Sequence, residues 1–323
     1  MERVVRPKML KAGDSVGIIS PSSLITRTDI RRGIEILRSM GLSVRLGANA
    51  LRKRYGYQAG SPEERVSDFN EMFSDPSIKG IFCTTGGYSA IQLLPDIDWD
   101  LIKKNPKVFV GYSDITTLLN AIYRKTGLVT FHGPLIEGLG KYMNGGCVYT
   151  VDSLTRTLME GGTGPLPSYT KWSVLKPGIA EGTLIGGNLN VLLSLIGTPY
   201  EPKWEGSILF LEEVDDTDES IDHCMWCLRI AGVFDAIRGI IVGKFTKMYS
   251  IRRDGSIPPV RNASIVRRII LSATEGFNFP ILYGVDFGHY VPSLTIPVGA
   301  RASIDCRDVN GKGSFSIVEK YLR

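Results

Sequence analysis

Over its first 135 or so residues the chain alternates short apolar runs with stretches of helical periodicity, and that alternation leaves few folds open. Asp14-Ser15-Val16-Gly17-Ile18-Ile19-Ser20 reads as a buried strand, broken by Pro21-Ser22-Ser23. A helix follows from about Thr28, with Ile30, Ile34 and Leu37 on one face, and it ends at Gly41. Leu42 to Leu46 is a second short strand. Ser61-Pro62-Glu63-Glu64 supplies a helix start: a hydroxyl cap, proline at the first helical position and a carboxylate at the third. Val66, Phe69, Met72 and Phe73 stripe that helix, and Ile78–Thr84, Val108–Val110 and Val129–Phe131 are further strands. Strands separated by helices imply a doubly wound, mostly parallel sheet with sites at the strand C-termini.

Gly161-Gly162-Thr163-Gly164-Pro165-Leu166-Pro167 combines chain-breaking residues with little apolar content, as a linker does. Beyond it strand signals are denser: Ser207–Leu211, Gly239–Val242, Ile281–Val285, Leu294–Pro297, Ala302–Ile304 and Ser314–Val318. Helical patterns around 219–230 and 263–274 are interspersed. The expected organisation is an N-terminal α/β domain over residues 1–160, a linker over 161–177, and a smaller mixed α+β domain over 178–323. At 323 residues the chain can bury a full core.

Several function classes recede on composition. A net charge of +5 is modest, and Arg52-Lys53-Arg54, the densest basic cluster, reads as solvated surface, so no nucleic-acid partner is expected. Charges at the N-terminus have no apolar run behind them, and no apolar run approaches a membrane span; the expectation is a cytoplasmic protein with no membrane partner. Five scattered cysteines fit reduced thiols rather than a disulfide framework. His223-Cys224-Met225-Trp226-Cys227 contains a C-x-x-C, but no second pair lies at metal-ligand spacing. Ile221, Cys224, Met225 and Leu228 form a helical apolar stripe that reads as core. Asp215-Asp216-Thr217-Asp218-Glu219 lacks the glycine and terminal glutamate of a calcium loop and reads as a helix N-terminus. Neither a metal nor another cofactor is expected.

Chemistry concentrates where the strand at Val108–Val110 runs into Gly111-Tyr112-Ser113-Asp114 and a helix begins at once, with Ile115, Leu118, Leu119 and Ile122 at helical spacing. A serine between strand and helix sits on a tight turn, its hydroxyl above the sheet and near the positive end of the helix. Ser113 is therefore the candidate nucleophile, and the Asp114 N–H would point at an oxyanion formed there. Serine also favours helix caps, and the second glycine of G-x-S-x-G is missing. Thr84-Thr85-Gly86-Gly87-Tyr88 ends the preceding strand, and in a parallel sheet it lies beside the serine turn, making the Gly87 N–H a second oxyanion donor. Of three histidines, His289 and His132 each follow a strand and compete as the base. Glu212 and Glu213 end an apolar strand: a pair of acids there commonly marks a solvated turn, but in a half-buried strand one of them points inward and can orient that base.

Taken in order, these segments resemble the LD-carboxypeptidase family of serine peptidases, which includes muramoyltetrapeptide carboxypeptidases and microcin C7 self-immunity proteins. The residues that carry the resemblance are Gly13-Asp14 with Ser20-Pro21-Ser22; Gly86-Gly87-Tyr88; Phe109-Val110-Gly111-Tyr112-Ser113-Asp114; and Thr130-Phe131-His132-Gly133-Pro134. They continue through Ile185-Gly186-Gly187-Asn188-Leu189, Leu211-Glu212-Glu213, Gly284-Val285-Asp286-Phe287-Gly288-His289 and Pro297-Val298-Gly299. The resemblance implies a triad of Ser113, Glu212 and His289, with Gly87 and Asp114 amides as oxyanion donors. It also implies a small peptide substrate, a murein tetrapeptide that loses its terminal D-alanine, and a homodimer. The acidic run after Glu213 departs from the family pattern. Asn188, or amides near it, is the candidate for binding the substrate carboxylate.

Overall fold

Why each segment adopts its element is visible in its ends and its buried face. The helix over Arg27–Ser39 is closed by a capping box between Thr26 and Asp29 and buries Ile30 and Leu37. The helix over Pro62–Ser74 carries the expected Ser61/Glu64 box and buries Val66, Phe69, Met72 and Phe73. A computed structural model describes residues 4–139, 145–248, 263–308 and 311–323.

In chain order the strands are β1 (Ser15–Ile19), β2 (Ser43–Leu46), β3 (Ile78–Cys83), β4 (Val108–Gly111), β5 (Thr130–His132), β6 (Gly164–Pro165), β7 (Ser173–Lys176), β8 (Ile179–Asn188), β9 (Ser207–Val214), β10 (Gly239–Thr246), β11 (Ile281–Tyr283), β12 (Ile296–Val298), β13 (Arg301–Asp305) and β14 (Ser314–Ile317). They form two mixed sheets in an α/β fold. The first has the order β12-β5-β4-β3-β1-β2 and is parallel from β5 to β2. The second has eight strands, β6-β14-β13-β8-β9-β10-β11-β7, with the inner four, β8 to β11, parallel.

Three features depart from the expected layout. β8, ten residues long, coincides with no strand signal in the sequence. The segment 161–177 is not a free connector, since it supplies β6 and β7 to the second sheet. β12 leaves its C-terminal neighbours and completes the first sheet, Ile296 lying opposite His132 and Val298 opposite Thr130.

Two apolar clusters flank the second sheet. Ile208 and Phe210 of β9 join the larger cluster, which also holds most of the first sheet, whereas Leu209 and Leu211 join the smaller one under the helices Asp218–Ile230 and Ala263–Ala273. The pleat of β9 thus sorts alternate side chains to opposite faces. Each fully buried leucine or phenylalanine contributes on the order of 1.5–3 kcal/mol.

Candidate active site

Val108, Phe109 and Val110 of β4 are fully buried and carry the chain up to Tyr112, which is extended at φ −151°. Ser113 then takes φ 63°, a left-handed conformation that costs a non-glycine residue about 1–3 kcal/mol. A single turn over Ser113–Ile115 leads directly into the helix Thr116–Thr126. Gly111 permits this turn, because a Cβ there would lie 2.7 Å from Ile115 Cγ2. Ile115 occupies the place of the second glycine missing from G-x-S-x-G, and its side chain packs over Gly111.

Asp114 ties the turn to its neighbours. Its buried carboxylate Oδ2 accepts from Ser22 Oγ at 2.5 Å and from the Ser89 and Ala90 amides at 2.8 Å each. Those bonds draw the Gly86-Gly87 loop and the Ser20-Pro21-Ser22 segment against the serine. A Cβ on Gly86 would meet Ser113 Oγ at 2.7 Å, so only glycine lets the loop come this close. Gly87 (φ 141°), Ser113 and Asp114 line one cavity, and the Gly87 and Asp114 amides donate to no described residue.

The other two members arrive from the second sheet. The helix Thr116–Thr126 is bolted onto β8: Thr116 Oγ1 accepts from the Asn188 amide at 3.0 Å, and Asn120 Nδ2 donates to Gly186 O at 2.9 Å. Glycines at 186 and 187 allow it, since a Cβ at either would strike Phe210 O or Thr116 Oγ1. In the β8–β9 register Asn188 lies opposite Glu212. Glu212 shares the Phe210 face of β9, two residues on, and so points towards Ser113, while Glu213 points to the other face.

His289 closes the arrangement. Ser113 Oγ lies 2.9 Å from its Nε2, and its Nδ1 lies 2.7 Å from Glu212 Oε2, which also accepts from the His289 amide at 3.1 Å. With the Nδ1–H donating to Glu212, Nε2 is left to accept the Ser113 proton. Glu212 is fully buried. Burial alone would raise its carboxyl, but the His289 ring and its hydrogen bonds outweigh that and hold it below the ordinary range. Burial pulls His289 down, and the charge and hydrogen bond of Glu212 outweigh that in turn, so its pKa lies above 6.5.

Asn188 also lines the cavity, and its amide makes two bonds within the protein. Oδ1 accepts from the Val191 amide, capping the helix Leu189–Leu193, and Nδ2 donates to Glu213 Oε1 at 2.6 Å. One Nδ2 hydrogen thus braces Glu213, and the second is left for the expected carboxylate. Glu213 takes further bonds from the Asn190 and Val214 amides, and burial pushes it up to about 7. His132, the rival base, is 1% exposed and contacts Ser113 through no hydrogen bond. Burial takes its pKa down to about 4. The Ile221, Cys224, Met225 and Leu228 stripe is buried as expected, whereas Cys227 is half-exposed with its Sγ 3.4 Å from His223 Nε2.

Two residues that position His289 are given no role by the sequence reading, although Asp286 stands in the segment 284–289 that carries the resemblance. Asp286, fully buried three residues before it, accepts from the Tyr169 and Thr170 amides at 2.8 and 3.0 Å and from Trp172 Nε1 at 2.8 Å, and pairs with Lys244 at 3.2 Å. Trp172, in the segment expected to be a linker, is thereby part of the histidine's anchor. Only tertiary contact reveals this, because neither residue lies in a periodic or capping pattern.

The triad sits between two cavities that meet at Val214. One, of about 400 Å³, contains Ser113, Gly87 and the acids Glu213, Asp215 and Asp216. The other, of about 260 Å³, contains His289, Tyr112, Glu137 and Lys247. Among the described residues no group of three or more His, Cys, Asp or Glu is placed to hold a metal ion, and no helix is long and apolar enough to cross a membrane.

Known proteins are similar to this chain in sequence and in fold over nearly its whole length. Residues 16–133 match the LD-carboxypeptidase N-terminal domain, and residues 181–304 match the LD-carboxypeptidase C-terminal domain. A probable murein peptide carboxypeptidase of Bacillus subtilis is 36% identical over 98% of this chain and 97% of its own length. The microcin C7 self-immunity protein MccF of Escherichia coli is 32% identical over 97% of this chain and 95% of its own. Among solved structures, MccF in complex with glutamyl sulfamoyl guanosine superposes with a TM-score of 0.88 at 30% identity, over 98% of this chain and 99% of that one. The muramoyltetrapeptide carboxypeptidase of Oxalobacter formigenes gives 0.79 at 26% identity, over 96% and 100%. The chain belongs to the LD-carboxypeptidase family of serine peptidases.

Proposed function

We propose that this enzyme hydrolyses the bond between an L-centre and a terminal D-alanine in murein tetrapeptides, with Ser113 as nucleophile, His289 as base and Glu212 as the acid that orients it. The observation that carries the reading is the continuous hydrogen-bond path from Ser113 Oγ through the His289 ring to a fully buried carboxylate. Ser113 Oγ attacks the amide carbonyl carbon as His289 Nε2 takes its proton, and Glu212 stabilises the imidazolium. The oxyanion forms against the Gly87 and Asp114 amides, each worth roughly 3 kcal/mol of barrier. On collapse Nε2 hands the proton to the leaving amine, and water then releases the acyl group by the same steps in reverse.

That proton transfer sets the direction of the substrate. The leaving D-residue lies on the His289 side, where the Lys247 ammonium suits its free carboxylate. The acyl portion lies on the Ser113 side, where Glu213, Asp215 and Asp216 suit the ammonium of a diamino acid at the third position, lysine or diaminopimelate. Cytoplasmic location, expected from the sequence pattern, and homodimer assembly, implied by the family resemblance, belong to the same reading. A second reading, hydrolysis of aminoacyl-sulfamoyl nucleosides, is favoured by the similarity to ligand-bound MccF. Mass spectrometry of both substrate types with the enzyme and with Ser113→Ala separates them. The expected result is loss of one alanine from the tetrapeptide, absent in the variant. Consumption of the sulfamoyl nucleoside alone would overturn the proposal.

A further inference from the structure

His132 lies at the centre of the triad without belonging to it. Tyr112, Phe210 and Phe287 wall its ring at centroid distances of 5.7, 5.5 and 5.9 Å, and the Tyr112 ring is in turn 4.7 Å from that of His289. Each wall residue is a near neighbour in sequence of one triad member: Tyr112 precedes Ser113, and Phe210 and Phe287 stand two residues before Glu212 and His289. Among the described residues neither ring nitrogen of His132 has a hydrogen-bond partner, and neither does Glu212 Oε1. A neutral imidazole holds one N–H and one lone pair, and a buried carboxylate oxygen needs a donor. Buried polar atoms left unpaired are rare in folded proteins and costly where they occur. Here an idle donor and an idle acceptor are both buried, and each feels the charge of the other.

We propose that His132 is a positioning residue for the triad: its neutral ring donates, through one buried water, to Glu212 Oε1, and so completes the hydrogen bonding of the carboxylate that orients His289. A polar niche with two or more partners is where ordered interior waters reside. His132 stays neutral across the working range because burial keeps its pKa near 4, so the donor is constant while His289 titrates. The groups facing His289 are Tyr112, His132, Glu212, Glu213 and Lys247, and those facing His132 are Tyr112, Glu212 and His289; the variants below change His132 alone.

The inference rests on the triad roles proposed above, and its first readout needs no substrate, so its failure is separable from failure of the substrate reading. His132→Phe keeps a ring and removes both nitrogens. With only three histidines in the chain, the His289 ring signal is readily assigned by NMR. Losing a donor makes the Glu212–His289 pair hold its proton more tightly. The His289 titration is therefore expected to move up by roughly one pH unit in H132F, and the acid limb of kcat/KM with it. His132→Asn and His132→Gln carry an amide N–H at the reach of Nδ1 and Nε2, and one of them is expected to restore the wild-type midpoint. A merely space-filling histidine predicts a lower Tm with an unmoved titration. An unshifted His289 in H132F, or failure of both amides to restore it, overturns the proposal. Should H132F not fold, a high-resolution crystal structure of the wild type decides: a water within about 3.2 Å of both a His132 ring nitrogen and Glu212 Oε1 is expected. Its absence overturns the proposal.

Discussion

Asp114→Ala separates the two jobs given to Asp114, because the backbone N–H proposed for the oxyanion survives while the side chain is lost. The carboxylate accepts one hydroxyl and two amides. A hydrogen bond to a charged group is worth about 1.5–3 kcal/mol, and the Ser22 hydroxyl can turn elsewhere. The Ala90 amide cannot, since that residue is fully buried, whereas the Ser89 amide also reaches Ser22 Oγ at 3.3 Å. The expected loss of stability is about 1.5–3 kcal/mol, a sizeable share of the 5–15 kcal/mol typical of a domain. Asp114→Asn keeps the volume and an acceptor oxygen but gives up charge assistance, which roughly halves the cost. In both variants the Gly87 loop is no longer held against Ser113. A displacement of about 1 Å there lowers turnover by roughly 10²-fold. Urea unfolding with an unchanged m-value gives the stability change, and kcat/KM on a murein tetrapeptide gives the turnover. A D114A protein within about 1 kcal/mol of wild type, or one that is folded and fully active, would refute the reasoning.

Because His289 must be neutral to accept the Ser113 proton, kcat/KM is expected to rise with pH through a midpoint above 6.5. Glu212→Gln should lower that midpoint and cut kcat by about 10⁴-fold; a midpoint that stays put would dissociate Glu212 from the base. The stability contributed by the raised His289 pKa is complete below 6.5 and is lost as pH rises through the folded-state value, so E212Q should flatten thermal stability against pH in that window. Gly86→Ala places a Cβ 2.7 Å from Ser113 Oγ, so turnover is expected to fall by at least about 10²-fold with far-UV circular dichroism unchanged. Lys247→Gln should erase a preference of about tenfold for a terminal D-alanine over D-alaninamide, read as the ratio of kcat/KM values; an intact preference would move the carboxylate contact elsewhere.

How far these residues can be read from the chain alone differs from one to the next. The turn at Ser113 is legible because a buried strand, a glycine and a helical repeat are adjacent in sequence. The choice of Glu212 over Glu213 is set by the pleat of β9, but Ser207–Leu211 is apolar on both faces, so the alternation that decides it cannot be seen in the residue pattern. β8 is hidden for the opposite reason. Gly182, Gly186 and Gly187 depress its strand propensity, and they are there because β9 and the helix after Ser113 press directly on its backbone. Asp286 and Trp172 gain their importance only from a contact 114 residues apart along the chain.

The pairing of β12 with β5 has a consequence for biosynthesis. As the nascent chain leaves the ribosome, the turn at Ser113 and the glycine loop beside it emerge first. The base follows 176 residues after the serine, and the strand that closes the edge of the first sheet comes later still. A product terminated before residue 289 lacks both the proposed base and the edge strand. In the proposed mechanism, hydrolytic competence thus waits until His289 has been made and has folded onto Ser113.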